Sequence, residues 1–142
     1  MGNEFMFVDR LTRAKYMVKE YPGAKLRSAR SPKRRPTFMK QMGVTLDGYD
    51  ETGEVGYRKE LESSLSLQDA MFLCQYLNDM RTVWLVEHAI ASLSDEKTRG
   101  IAEDTILHQV KCKYLQEKYG LKVRAIQARK AAAVCHLADL LD

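Results

Sequence analysis

Apolar positions keep a helical rhythm over most of this chain and lose it in one long stretch. From Phe5 to Lys19, Phe5, Val8, Leu11, Ala14 or Tyr16 and Val18 recur at helical intervals, and Tyr21-Pro22-Gly23 is expected to close that helix. Between Gly23 and about Leu65 neither a helical nor a strand period is sustained. Three prolines and five glycines fall from Pro22 to Gly56, and Asp47-Gly48 and Thr52-Gly53 are turn signals. A hairpin would suit those turns, but its flanks alternate poorly, so a flexible arm is the expectation.

Rhythm returns at Ser66-Leu67-Gln68-Asp69, a capping-box start, and the chain then runs without Gly or Pro to Leu93. Ala70, Leu73, Leu77, Met80 and Trp84 form one stripe of this helix, and Val83, Val86, Ile90 and Leu93 form its neighbour. Together they cover more than half the circumference, so the helix needs partners on more than one side. The other helices could supply them, or a second copy of the chain through Leu77, Met80 and Trp84 in a homodimer.

Ser94-Asp95-Glu96 restarts a helix with a side-chain cap and early acids. Gly100 should weaken its middle by about 1 kcal/mol. Ile101, Ile106, Leu107, Val110, Leu115 and Tyr119 carry the pattern on to a break at Gly120. In the last segment Val123, Ile126, Lys130, Ala133, Leu137 and Leu140 or Leu141 alternate at threes and fours, and all but Lys130 define an inward face. Lys122, Arg124, Gln127, Ala128 and Ala131 lie off it. A short turn with Gly120, then an amphipathic helix whose early outer face is basic and small, has the elements of a helix-turn-helix. Only the first turns of such a helix reach into a major groove roughly 12 Å wide, which is where charge and small side chains are useful.

The expected organisation is all-α. Residues 1–65 hold a helix and a basic, partly irregular arm, 66–93 a long central helix, and 94–142 a DNA-binding helix-turn-helix. The net charge is only +4, yet Lys25, Arg27, Arg30, Lys33, Arg34, Arg35 and Lys40 follow one another with no acid between them. Such a run is either a solvated linker or a contact to phosphates, and Arg27, Arg30, Lys33, Arg34 and Arg35 are candidates for the latter. Base edges are assigned to Arg124, Gln127 and Ala128; Lys122, Arg129 and Lys130 are expected to contact phosphates or stiffen that contact.

Other chemistries find little support. There is no apolar run near the roughly 18 residues of a membrane span, and the first residues are too charged for a signal-peptide core, so a cytoplasmic protein without membrane partners is expected. Gly2 invites comparison with a myristoylation signal, but Met6 stands where Ser or Thr is needed. Cys74, Cys112 and Cys135 lack a metal or redox spacing and read as reduced thiols. His108 and Cys112 are two ligands short of a zinc site, and Cys135 and His136 point apart on a helix. No catalytic residue, cofactor or metal is expected.

The segment from Ser92 to Leu141 resembles the promoter-reading fourth region of sigma factors. Leu93, Glu96 and Arg99 match its leading helix, Leu115, Tyr119, Gly120 and Leu121 its turn, Ile126 and Arg129 its recognition helix, and Ala133, Leu137 and Leu140 its tail. Gln116 replaces a small residue of that pattern, Lys122 a Ser or Thr cap, and Lys130 a buried Leu. Nothing resembles the core-binding second region of a complete sigma factor. With RAKYMVKEYP near the start and a long central helix, the layout is similar to phage regulators of the ArpU and RinA type. That resemblance implies a regulator of phage late genes that binds double-stranded DNA and works with host RNA polymerase. A small terminase subunit that marks phage DNA and a helical adaptor or assembly protein that binds no DNA remain alternatives.

Overall fold

The computed structural model describes residues 2–29, 39, 43 and 56–141, with the side chains of residues 2–8 excepted. The expected DNA contacts Arg30, Lys33, Arg34 and Arg35, together with Lys40 and the two turn signals of the arm, lie outside the described residues. Every described element is helical, in keeping with the all-α expectation. α1 spans Gly2–Ser28 and a 3₁₀ turn Lys59–Ser64 precedes α2, Leu67–Ala91. α3, Glu96–Ala102, runs into a π-helical turn, Glu103–Leu107, and α4, Cys112–Tyr119, is followed by α5, Val123–Leu140. None of these helices is long and apolar enough to cross a membrane.

The chain forms two compact units, Met1–Tyr21 with Leu85–Asp142, and Pro22–Trp84. Their limits fall inside α1 and α2, away from the segment boundaries read from the sequence, because each of these helices contributes one end to each unit.

α1 does not stop at Tyr21-Pro22-Gly23, as expected, but continues through Pro22 to Ser28. An interior proline removes a helix hydrogen bond and costs about 3 kcal/mol, so the turn beyond it needs tertiary support. Ala24 is buried there, and Arg27 donates from Nε and Nη2 to Asp79 Oδ2 and Oδ1 at 2.8 and 2.9 Å. Asp79, itself buried, also accepts from Gln75 Nε2 at 2.9 Å. Arg27 was expected to contact DNA; its fork is instead engaged by this carboxylate, the bidentate geometry in which an arginine–aspartate pair is strongest.

The Pro22–Trp84 unit gathers Leu73, Tyr76 and Met80 of α2 around Met39, with Tyr57, Leu61, Leu65, Phe72 and Leu77 against them. Met80, expected at a contact between copies, is thus a core residue of its own protomer. The start of α2 matches the sequence reading, with Ser66 Oγ accepting from the Asp69 N–H at 3.2 Å.

In the other unit Asp95 caps α3 by accepting from the Thr98 N–H at 2.9 Å. The pattern beyond it, read from sequence as continuing to Tyr119, is broken at Gln109, whose φ of 53° is left-handed. The His108 N–H reaches Glu103 O at 3.1 Å and the Val110 N–H reaches Asp104 O at 2.8 Å. The Val110 bond reaches back six residues, one more than in the Schellman end of an ordinary α-helix, because the turn before it is π-helical, and an apolar side chain, here Val110, again packs on the core. Glycine usually marks it; with Gln in that place the break leaves no composition signal.

Candidate nucleic-acid interface

α3, α4 and α5 meet on Ile101, Leu115 and Ile126, each at most 1% exposed, with Val110, Cys112, Tyr119 and Leu121 around them. Gly100 allows the approach of α4. A Cβ at this position would lie 2.9 Å from Tyr119 Oη, and that hydroxyl donates to Asp104 Oδ2 at 2.7 Å. The glycine that costs helix propensity is therefore the residue that admits Tyr119. Lys118 reaches the same carboxylate at 2.9 Å.

Burial opposes ionisation of Asp104, but the bonds from Tyr119 and Lys118 outweigh it and hold its carboxyl below the usual range. Burial, with the neighbouring carboxylate adding to it, pushes the Tyr119 phenol up. The hydrogen bond to Asp104 raises Lys118.

Gly120, at φ 64° and ψ 34°, ends α4 in the left-handed region. That conformation costs an L side chain roughly 1–2 kcal/mol and lets α5 begin after only Leu121 and Lys122. Lys122 is the N-cap of α5; its carbonyl accepts from Ala125 and Ile126 at 3.0 and 3.1 Å, and its side chain makes no cap bond. The ammonium is exposed.

α5 has distinct strips. Ile126, Ala133 and Leu137 face inward and are buried, and at the C-terminal end Leu141 is buried while Leu140 is 39% exposed. Val123, expected on the inward face, is 37% exposed; Leu121 of the turn fills that level of the core. Arg124, Gln127, Ala128 and Ala131 are all exposed at spacings of three and four, on the side opposite Ile126 and Ala133. Arg124 and Gln127 have no partner among the described residues.

The two remaining basic positions lie on the flanks. Arg129 is turned back onto the cap of α3, donating from Nη1 to Asp95 Oδ2 at 2.7 Å and to Thr98 Oγ1 at 2.8 Å. The Asp95 carboxyl is held below its ordinary value, first by the Thr98 hydroxyl, then by the Thr98 N–H, with Arg129 adding to both. Arg129 thus positions α5 against α3 through Nη1, while its side chain stays 34% exposed. Lys130 keeps the inward register but is exposed, because it borders an open hollow rather than packed core. It stands off the Arg124–Ala131 strip.

From His108 to Ala131 the bases are Lys111, Lys113, Lys118, Lys122, Arg124, Arg129 and Lys130, against the lone acid Glu117. Lys111 and Lys113, exposed at the start of α4, were missed by the sequence reading, since two isolated lysines stand out only once the helix break before them is known. An exposed strip of guanidinium, amide and small side chains, on a helix locked from behind and flanked by cations, offers bidentate donors to a polyanion's edge. No family model, curated protein or solved structure matches the chain.

Proposed function

We propose that the chain is a sequence-specific DNA-binding regulator of transcription, in which α4 and α5 act as a helix-turn-helix and the first turns of α5 enter the major groove. The observation that carries this reading is the exposed, unpartnered Arg124–Gln127–Ala128–Ala131 strip, rigidly backed by Ile126. Arg124 suits guanine O6 and N7, Gln127 suits adenine N6 and N7, and the two alanines let the helix approach closely. Lys122 contacts phosphate, aided by the positive end of the α5 dipole; Arg129 orients the helix. The resemblance of the sequence to sigma factors and to the ArpU and RinA regulators supports reading this activity as one exerted at phage late promoters in the cytoplasm, beside RNA polymerase.

A duplex selected by the protein from a random pool is the reagent that tests this. Arg124→Ala or Gln127→Ala should each cost roughly 1–3 kcal/mol on it and relax preference at one or two base pairs. Lys122→Ala should weaken selected and scrambled duplexes alike and reduce the salt slope by about 0.9. Parent-like binding of both duplexes by folded Arg124→Ala and Gln127→Ala would hand the function to the adaptor reading, and ring-sized particles in light scattering would favour a terminase-like role.

Within this reading the protein pairs as a homodimer. With Met80 internal, Leu67 and Met71, 79% and 65% exposed one turn apart on α2, are better placed to form the contact than the stripe expected from the sequence. Sedimentation as a monomer at high concentration would remove the dimer.

A further inference from the structure

A hollow of about 380 Å³ opens in the unit that carries α5, between α1, the π-helical turn and α5. Lys15 and Lys19, one turn apart on α1, and Lys130 of α5 stand around it, all three exposed, and Val18, Ile106 and Val134 form its apolar lining. No lining residue is acidic. None of the three ammonium groups has an ion-pair partner among the described residues, although this unit also holds the engaged pairs Lys118–Asp104 and Arg129–Asp95. Three like charges kept together without a counter-charge repel one another, and Val18, half-buried beside the nearly buried Ile106 and Val134, leaves apolar surface of the hollow to water. A ligand that brings carboxylates and an apolar group relieves both.

We propose that this hollow is a docking site for a protein partner, which inserts one large apolar side chain flanked by acidic residues. The volume is near the lower end of ordinary ligand sites, so it accepts a side chain of an extended segment rather than a whole helix. The apolar half of the lining decides against DNA: a phosphodiester satisfies lysines but has nothing to bury against Val18, Ile106 and Val134. Lys130 also lies off the Arg124–Ala131 strip, so the hollow is available while the strip is occupied. The inference does not depend on DNA binding.

Three short peptides test it on the full chain: Glu-Asp-Phe-Asp-Glu, its amide counterpart Gln-Asn-Phe-Asn-Gln, and Glu-Asp-Ser-Asp-Glu, which lacks the apolar anchor. Methyl NMR signals of Val18, Ile106 and Val134 give the readout. The first peptide should shift all three and bind about tenfold more tightly than either control, since the amide control loses several small rim charge pairs that act together and the serine control loses the apolar burial. The double variant Lys19→Gln/Lys130→Gln, whose replaced side chains are exposed and whose helical content should match the parent by circular dichroism, should lose that advantage.

Equal binding of the serine peptide would reduce the site to a diffuse cationic patch and overturn the proposal. So would an absence of methyl shifts with any peptide. A short DNA duplex that shifts the same methyl signals and competes with the first peptide would overturn it in favour of a phosphate contact. Failure of the duplex to bind anywhere would leave the docking site standing while removing the regulator reading.

Discussion

In the C-terminal region, three helices that follow one another in sequence close on Ile101, Leu115 and Ile126, and the polar bonds to Asp95 and Asp104 lie at the rim of that core. In the Pro22–Trp84 unit the core joins Met39 to residues of α2 well beyond it in sequence, and a charged pair with a buried carboxylate, Arg27–Asp79, ties the end of α1 to α2. One region is built from near neighbours and apolar contact, the other from distant partners and a desolvated charge. They should therefore respond to different insults: the first to loss of volume, the second to loss of a countercharge.

The largest effect expected is Ile126→Ala. At 0% exposure the truncation leaves a cavity beneath α5 and should cost roughly 2–5 kcal/mol in urea unfolding. A loss under about 1 kcal/mol would mean that the three-helix core can collapse around the gap, and the contrast with the other unit would fade.

Arg27→Met should follow, at about 3 kcal/mol, near the low end for breaking a buried pair. The Arg27 side chain is 38% exposed, which limits what it loses, but Asp79, at 4%, stays buried with Gln75 as its remaining partner. The joint variant Arg27→Met/Asp79→Leu should recover much of that loss, since it is the orphaned charge that destabilises. If the double variant is as unstable as the single one, packing rather than charge holds this junction.

Two left-handed residues give a smaller test with opposite signs. Gly120→Ala should destabilise by about 1–2 kcal/mol, and Gln109→Gly should stabilise by about 1 kcal/mol, because one variant introduces and the other removes an L side chain at positive φ. Thermal melts of the two proteins that shift in the same direction would contradict the assigned turn geometry.

The mildest test is pH. Asp95 and Asp104 are held below the ordinary carboxylate value of about 3.9. Their contribution is therefore complete above that value and is lost as pH falls through the lowered ones. Tyr119 and Lys118 are raised, so their contribution is complete below their unfolded values, near 10, and is lost as pH rises through the raised ones. The C-terminal region should thus be loosened by strong acid and strong alkali and show a flat stability profile between them. A transition near neutrality in its Tyr119 signals would be inconsistent with these four groups setting the profile.

The helices with local causes can be read from the chain alone. Ser66 and Asp95 cap because a side-chain oxygen can reach an N–H three residues on, and Gly120 closes α4 because it alone there accepts positive φ without strain. The Arg124, Gln127, Ala128 and Ala131 strip follows from helical spacing and needs no tertiary partner to be seen. Tertiary structure decided the rest. Pro22 is carried inside α1, whose next turn is anchored by Arg27 to an aspartate far along the chain. The break at Gln109 is stabilised by Val110 reaching a core that exists only once α4 and α5 are in place. Arg129 is drawn to Asp95, and Lys130 is left beside a hollow. Each depends on a contact between residues far apart in sequence, and local propensity or periodicity holds no record of such pairings.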